Sequence, residues 1–425
     1  MRILMLSWEF PPRVVGGLAQ HVYELSRSLV ASEGCQVDVI TSGEERYPEM
    51  EMMDGIRVHR VHPYHGGGGR DFIDWVQRFN FAMLEKGASL FNENGSYDLI
   101  HAHDWLAAYG ARGLKHIYTT PLLATIHATE YGRNNGLHNQ EQRSISDLEW
   151  WMIYEAWKVI CCSDYMKEEL MHVFQVPEDK LVVIPNGIRP EAYKPGDRVV
   201  LDESFYDPHA KIIFYIGRLV QEKGVQILLD AAPTIMEKVP GAQIVIAGTG
   251  PYAEHLRNKT REMGLDKKVR FLGYVDDETR NELYNCASVA VFPSLYEPFG
   301  IVALEAMASG TPVVVSSVGG MDGIVEHGVD GLKVYPGNPD SLSDQVCHIL
   351  ENGELAESLA EKAARKATLK YSWDSIARQT FKVYKEIVSS EENLRWRQKA
   401  KRQMRPDEIT VEGIGTKKGR VPHLI

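Results

Sequence analysis

The stretch Ser294–Ser317, SLYEPFGIVALEAMASGTPVVVSS, decides how the chain is read. It sets two carboxylates, Glu297 and Glu305, eight positions apart around a Pro-Phe-Gly turn. An alanine-rich apolar run of helical length follows the turn, and the β-branched run PVVVSS follows that; SVAVFPS precedes both. Strands buried on both faces read as continuous apolar runs, and strand–helix–strand units of this kind are right-handed parallel crossovers. An acid at the mouth of such a helix, and a second inside it, need a reason.

Outward from this unit the same alternation covers the chain. KIIFYIG, QIVIAG and VRFLGYV each precede a helical pattern. Earlier, RILMLSW leads into a helix from Gly17 to about Ala31, with Val22, Leu25, Leu29 and Val30 on one face. QVDVIT, IRVHRVHP, a helix near 71–92, YDLIHAHD, PLLATIH, a helix near Ser144–Ala156 and KVICCS complete the first half. A chain of 425 residues exceeds one compact core. The expected fold is α/β: two doubly wound Rossmann-like domains, residues 1–190 and 191–373. Their seam falls near Gly187–Gly196, where Pro, Asn and Gly cluster without period. Gly66–Gly69 reads as a loop within the first domain, and 396–425 as a polar, basic tail.

Bulk properties narrow the partners. A net charge of −11 and a pI near 5.8 give no overall basic field for nucleic acid or anionic lipid. The helix near 71–92 sets Arg70, Arg78 and Lys86 against Asp71, Asp74 and Glu85, so it lacks the basic face of a membrane-surface helix. Five cysteines without a C-x-x-C pair, and an N-terminal apolar run too short for a signal peptide, predict a cytoplasmic protein.

In an open parallel sheet, ligands bind beyond the carboxyl ends of the strands, so the residues just after each strand matter most. Gly16 and Gly17 follow the first strand where a helix begins, and bare amides there can approach an anion, although a plain tight turn explains them equally. After KIIFYIG, Arg218 and Lys223 stand five apart; two fixed cations beside a helix start suit a diphosphate whose charge grows as it departs. With a helix starting near Gly300, Glu305 lies roughly 7–8 Å along its axis and Glu297 just before its mouth. The amides of Gly300, Ile301 and Val302 then face a phosphate between the two acids. Carboxylates accept paired hydroxyl hydrogen bonds, so one acid can hold a sugar ring and the other a ribose. That spacing fits a nucleotide sugar stretched across a helix mouth.

Other chemistries compete. His101 and His103 share one face of a strand and, with His127 and Asp104, could ligate a metal in a hydrolase. A buried, hydrogen-bonded His101 is the simpler reading. Gly248–Ala253, GTGPYA, matches a dinucleotide fingerprint, but it follows the second strand of its domain and carries Pro251 in the turn. An NAD enzyme is therefore a distant alternative. Trp8, Trp75, Trp105, Trp150, Trp151 and Trp157 all fall in the first half, where flat rings either fill a core or stack on an acceptor sugar.

With GGL, R-x4-K, E-P-F-G-I-x3-E, HAHDW, TIH and GTGP in this order, the chain resembles the retaining glycosyltransferases of the GT-B fold over roughly residues 1–390. It is most similar to glycogen and starch synthases and the wider family-four group. Bacterial glycogen synthases lack the second acid, which makes the wider group the better label. The resemblance implies an NDP-sugar donor (ADP-, UDP- or GDP-hexose) as substrate, a carbohydrate acceptor, and neither cofactor nor metal. Gly16 and Gly17 would cover the diphosphate, which Arg218 and Lys223 neutralise beside Phe299, Gly300 and Ile301. Glu297 would bind the transferred sugar and Glu305 the ribose, with the backbone of Tyr274–Val275 against the base. His127 would touch the sugar, and Asp104 would face the reacting centre from the first domain. A last helix, 374–395, would cross back to the first domain. A cell-envelope glycosyltransferase and an NDP-sugar epimerase share this architecture.

Overall fold

The computed structural model describes residues 1–64, 72–193, 207 and 209–403. The glycine run 66–69, the end of the expected seam and the tail from 404 onward lie outside the described residues.

Two sheets organise the chain. The first contains β1 (Arg2–Leu6), β2 (Gln36–Ser42), β3 (Met50–Met53), β4 (Ile56–Val61), β5 (Leu99–His103), β6 (Leu122–Ile126), β7 (Lys158–Cys161) and β8 (Leu181–Val183), in the order β3-β4-β2-β1-β5-β6-β7-β8. All neighbours are parallel except β3 with β4. The second contains β9 (Lys211–Ile216), β10 (Ala242–Ala247), β11 (Val269–Gly273), β12 (Val289–Phe292), β13 (Val313–Ser316) and β14 (Leu332–Val334), in the order β11-β10-β9-β12-β13-β14. Every pair in it is parallel. β5, β6, β10, β12 and β13 are buried along their whole length, as continuous apolar runs between two helical layers must be.

The order reverses direction between β1 and β5 in the first sheet and between β9 and β12 in the second. Those two switch points are where neighbouring crossovers leave on opposite faces and open a crevice. The residues after β1, β5, β9 and β12 include Gly16, Asp104, Lys223 and Glu297.

The helix Trp373–Ser389 buries Trp373, Ile376, Ala377, Tyr384 and Ile387 together with Leu18, Val22, Leu25 and Leu29 of the helix Gly17–Glu33. Side chains at helical spacing thus return the chain to the first sheet. Residues 396–403, the start of the polar tail, close the helix Glu391–Gln403. Trp396 is the reason, its ring meeting Trp157 edge-on at 5.9 Å.

Candidate active site

The loop after β12 is held by backbone contacts from two sides. The amides of Leu295 and Tyr296 donate to the carbonyl of Glu222, and Gly320 donates to the carbonyl of Glu297 at 2.8 Å. Gly300 caps the helix Ile301–Ala308 with φ of 107°, a conformation that side chains resist. The clamp on Glu222 brings the turn Gln221–Lys223 against this loop. Lys223 Nζ donates to Glu297 Oε2 at 2.6 Å, with the two side chains 19% and 9% exposed. Ser294 Oγ donates to the same oxygen at 3.4 Å. Among the described residues no side chain caps Ile301–Ala308, so its first-turn amides keep the partial positive charge that receives an anion.

The opposite wall comes from the first domain. A Cβ placed on Gly17 would lie 3.0 Å from Ile301 Cδ1, so the two helix starts face each other. Ser163 Oγ donates to the Pro298 carbonyl at 2.7 Å, and Tyr296 Oη to Glu169 at 3.2 Å, fastening the Pro-Phe-Gly turn to the first domain. The Cys162 thiol between them feels both Glu297 and Asp104, after the burial that pushes it well up.

Asp104 adopts φ 57°, ψ 165°, a combination that side chains rarely adopt. Its Oδ1 accepts the amide of His127 at 2.8 Å. Burial raises its carboxyl to about 6, with the Arg133 guanidinium opposing the rise. Burial also pushes His127 down to about 3, so that ring is neutral at pH 7. His127 Nε2 meets His103 Nδ1 at 3.2 Å, and His21 Nδ1 meets Asn186 Oδ1 at 2.7 Å. His21 Nε2 and His103 Nε2 have no partner among the described residues. These three imidazoles offer ligand atoms within 4.8 Å of one another and are the group that could hold a divalent ion. His101 is not among them: it bonds Tyr384 Oη and Thr125 Oγ1 at 2.8 and 2.7 Å as a core histidine.

Several expected residues sit differently from the sequence reading. The Gly16 amide is not bare: with that of Val15 it donates to Glu9 Oε2, at 3.2 and 2.6 Å. Burial raises Glu9 to about 7 despite those bonds. Arg218 is 52% exposed and turns to Glu222 at 3.6 Å, beside but apart from the Lys223–Glu297 pair. Glu305 is buried, as its apolar helix requires. Tyr193 and Tyr284 donate to its two oxygens at 2.9 and 3.1 Å, and Arg280 stands 3.8 Å away. Tyr274 projects into solvent, while Val275 packs against the core. Glu9, Arg280 and Ser163 escaped the sequence reading, although an acid just after a first strand, as in SWEFPP, is a signal of its own.

Residues 15–192 match the family described as Glycosyltransferase Family 4, and residues 202–366 match Glycosyl transferases group 1. A glycosyltransferase of Methanocaldococcus jannaschii is 42% identical over 390 residues, 91% of this chain and 98% of that one. The chain belongs to this glycosyltransferase family. A glycogen synthase of Mycobacterium tuberculosis (strain H37Rv) is 35% identical over 397 residues, 90% of this glycosyltransferase and 94% of its relative. The solved sucrose-phosphate synthase from Thermosynechococcus elongatus superposes with a TM-score of 0.78 at 26% identity, covering 91% of this chain and 98% of that one. The two facing α/β domains are thus the GT-B fold. No helix among the described residues is long and apolar enough to cross a membrane.

Proposed function

We propose that this glycosyltransferase moves a hexose, with glucose as the first candidate, from a nucleoside diphosphate to a carbohydrate hydroxyl, retaining the α configuration. One observation carries the reading: Lys223 and Glu297 meet at the mouth of Ile301–Ala308, at the second sheet's switch point and facing Gly17. A diphosphate seated there would meet an ammonium and helix-start amides, while the sugar's hydroxyls meet the Glu297 carboxylate. Arg218 would swing from Glu222 onto the diphosphate, and the second lone pairs on Glu305 would receive the ribose. The backbone of Tyr274 and Val275 would receive the base.

In the step itself the acceptor oxygen bonds to the anomeric carbon on the face from which the diphosphate leaves. The C–O bond to phosphate breaks, and the acceptor proton passes to the departing phosphate oxygen. Protein groups orient the reactants and stabilise the leaving charge; no covalent enzyme intermediate forms. Neutral His127 holds the sugar, and Asp104 faces the reacting centre. No metal takes part, because Lys223, Arg218 and the amide dipoles supply the positive charge. We place the reaction in the cytoplasm, a reading supported by five cysteines without a C-x-x-C pair. The glycogen synthase likeness supports a glucan acceptor.

The test is incubation with ADP-, UDP- and GDP-hexoses and a panel of acceptors, with products identified by mass and anomeric linkage by NMR. An α-linked product is expected. A β-linked product, or hydride transfer with NAD in place of sugar transfer, would overturn the reading.

A further inference from the structure

A groove on the first domain has the chemistry of a carbohydrate platform. It lies between the short helix Glu130–Asn134, the helix Gln140–Glu155 and the end of the helix Asp164–Phe174, a depression of about 410 Å³ open to solvent. That falls within the range of about 300–1,000 Å³ for ligand pockets. Tyr131, Trp150 and Phe174 give it aromatic surface; Ser146, Asp147 and His172 give it polar groups. Trp150 is 46% exposed, and Tyr154, one turn further along the helix, is 66% exposed and stacks beside it at 5.4 Å. Two large rings left in water on one helix face forgo burial that folding would otherwise use.

The polar groups say what would cover them. Among the described residues the side chains of Asp147 and His172 have neither hydrogen bond nor ion pair. A carboxylate accepts two hydroxyls at once, an imidazole accepts or donates one, and an aromatic face packs against the C–H face of a pyranose. Among the described residues none of those lining the groove is a lysine or arginine, the nearest cation to the platform being Lys180 over the Tyr154 ring at 5.9 Å, which disfavours a phosphorylated ligand. An apolar peptide would leave Asp147 desolvated and unpaired. The groove also adjoins the reaction site through one short helix. Tyr131 lines the groove, and next to it Gly132 leaves room for the Tyr296 hydroxyl, which a Cβ there would meet. Tyr296 directly precedes Glu297.

We infer that this groove binds a neutral oligosaccharide, the outer hexoses of the acceptor chain whose end enters the cleft. The inference rests on the reading of the acceptor as carbohydrate. Its occupant runs along Trp150 with ring faces stacked, while Asp147 and His172 take hydroxyls.

Native gel electrophoresis through glycogen, with calorimetric titration of maltoheptaose, tests this on the full chain without nucleotide sugar. The wild type should be retarded by glycogen. Trp150→Ala and Asp147→Ala should each weaken maltoheptaose binding by at least about tenfold, a typical loss for an anchoring contact. Both should melt within a few degrees of the wild type, because both positions are exposed. Absence of glycan binding by the wild type, or undiminished binding by both variants, would overturn the inference. The transfer assay fails separately. Transfer to a monosaccharide without glycan retention removes the groove and keeps the glycosyltransferase reading, whereas retention without transfer from any donor does the reverse.

Discussion

Lys223 and Glu297, 74 residues apart in sequence, form a largely buried ion pair whose N–O distance is 2.6 Å. Neither charge is stable alone in that position: removing one partner from a buried pair leaves the other desolvated, at a cost of about 3–5 kcal/mol. Lys223→Met should therefore remain folded but melt several degrees lower, and should lose transfer by about 10²–10³-fold with its diphosphate donor unneutralised. Adding Glu297→Gln should recover the melting temperature and leave activity absent. Calorimetry and initial rates on both variants decide this. Recovery of rate along with stability would mean that the pair is structural only.

The approach of Gly17 to Ile301 predicts a specific sensitivity across the seam. With only 3.0 Å between an added Cβ and Ile301 Cδ1, the branched side chain of Gly17→Val cannot fit while the two helix starts stay this close. The donor KM should rise at least about tenfold, since the first-domain wall no longer closes over the diphosphate. Ile301→Ala removes the obstructing methyl, and the double variant should regain most of that loss. Steady-state kinetics of the four proteins form the cycle, and additivity of the two substitutions would contradict direct contact.

The sign of the Glu9 effect on stability can be worked out. Its carboxyl rises from the ordinary 4.5 to about 7, mainly through burial, so the folded chain binds this proton more tightly than the unfolded chain. The resulting stabilisation is fully present below pH 4.5 and is lost as pH climbs to about 7, amounting to about 3 kcal/mol. Glu9→Gln cannot ionise and should lack this dependence. Melting temperatures of wild type and variant between pH 4.5 and 8.5 should diverge steadily, with the wild type losing ground up to about pH 7. Parallel curves would show that Glu9 is not the titrating group.

What the sequence made legible depended on distance along the chain. Lys223 and Glu297 could be marked because each follows a strong apolar strand, and parallel topology puts such positions at the crevice. Glu305 could be seen as buried from IVALEAMASG alone. Its partners could not, since Tyr193 and Arg280 come from separate segments that meet only in the folded chain. Glu9 was missed because the loop Val15–Gly16 folds back on it, a turn without a hydrophobic period. β8 and β14 are only three residues long, and β3, MEMM, has no β-branched run, whereas the equally short β7, β12 and β13 stand out by theirs. The orientation of Arg218 was equally hidden, since a flexible side chain chooses between Glu222 and a ligand on local charge.

Asp104 lets strain be separated from chemistry. Its backbone, φ 57° and ψ 165°, lies where essentially only glycine is comfortable, a conformation that costs about 1–3 kcal/mol for other residues. Glycine at this position relieves that cost and removes a buried carboxyl, while losing one hydrogen bond from the His127 amide, worth about 1 kcal/mol. Asp104→Gly should therefore melt no lower than the wild type and transfer at least about 100-fold more slowly. Asp104→Asn keeps the strain and the acceptor oxygen but loses the buried charge, so at pH 7 it should be at least as stable as the wild type and as slow as the glycine variant. Those two variants bracket the claim: a stable, active Asp104→Gly would remove the residue from the reacting centre. An active Asp104→Asn would leave it there as a backbone anchor for His127 and not as a charge.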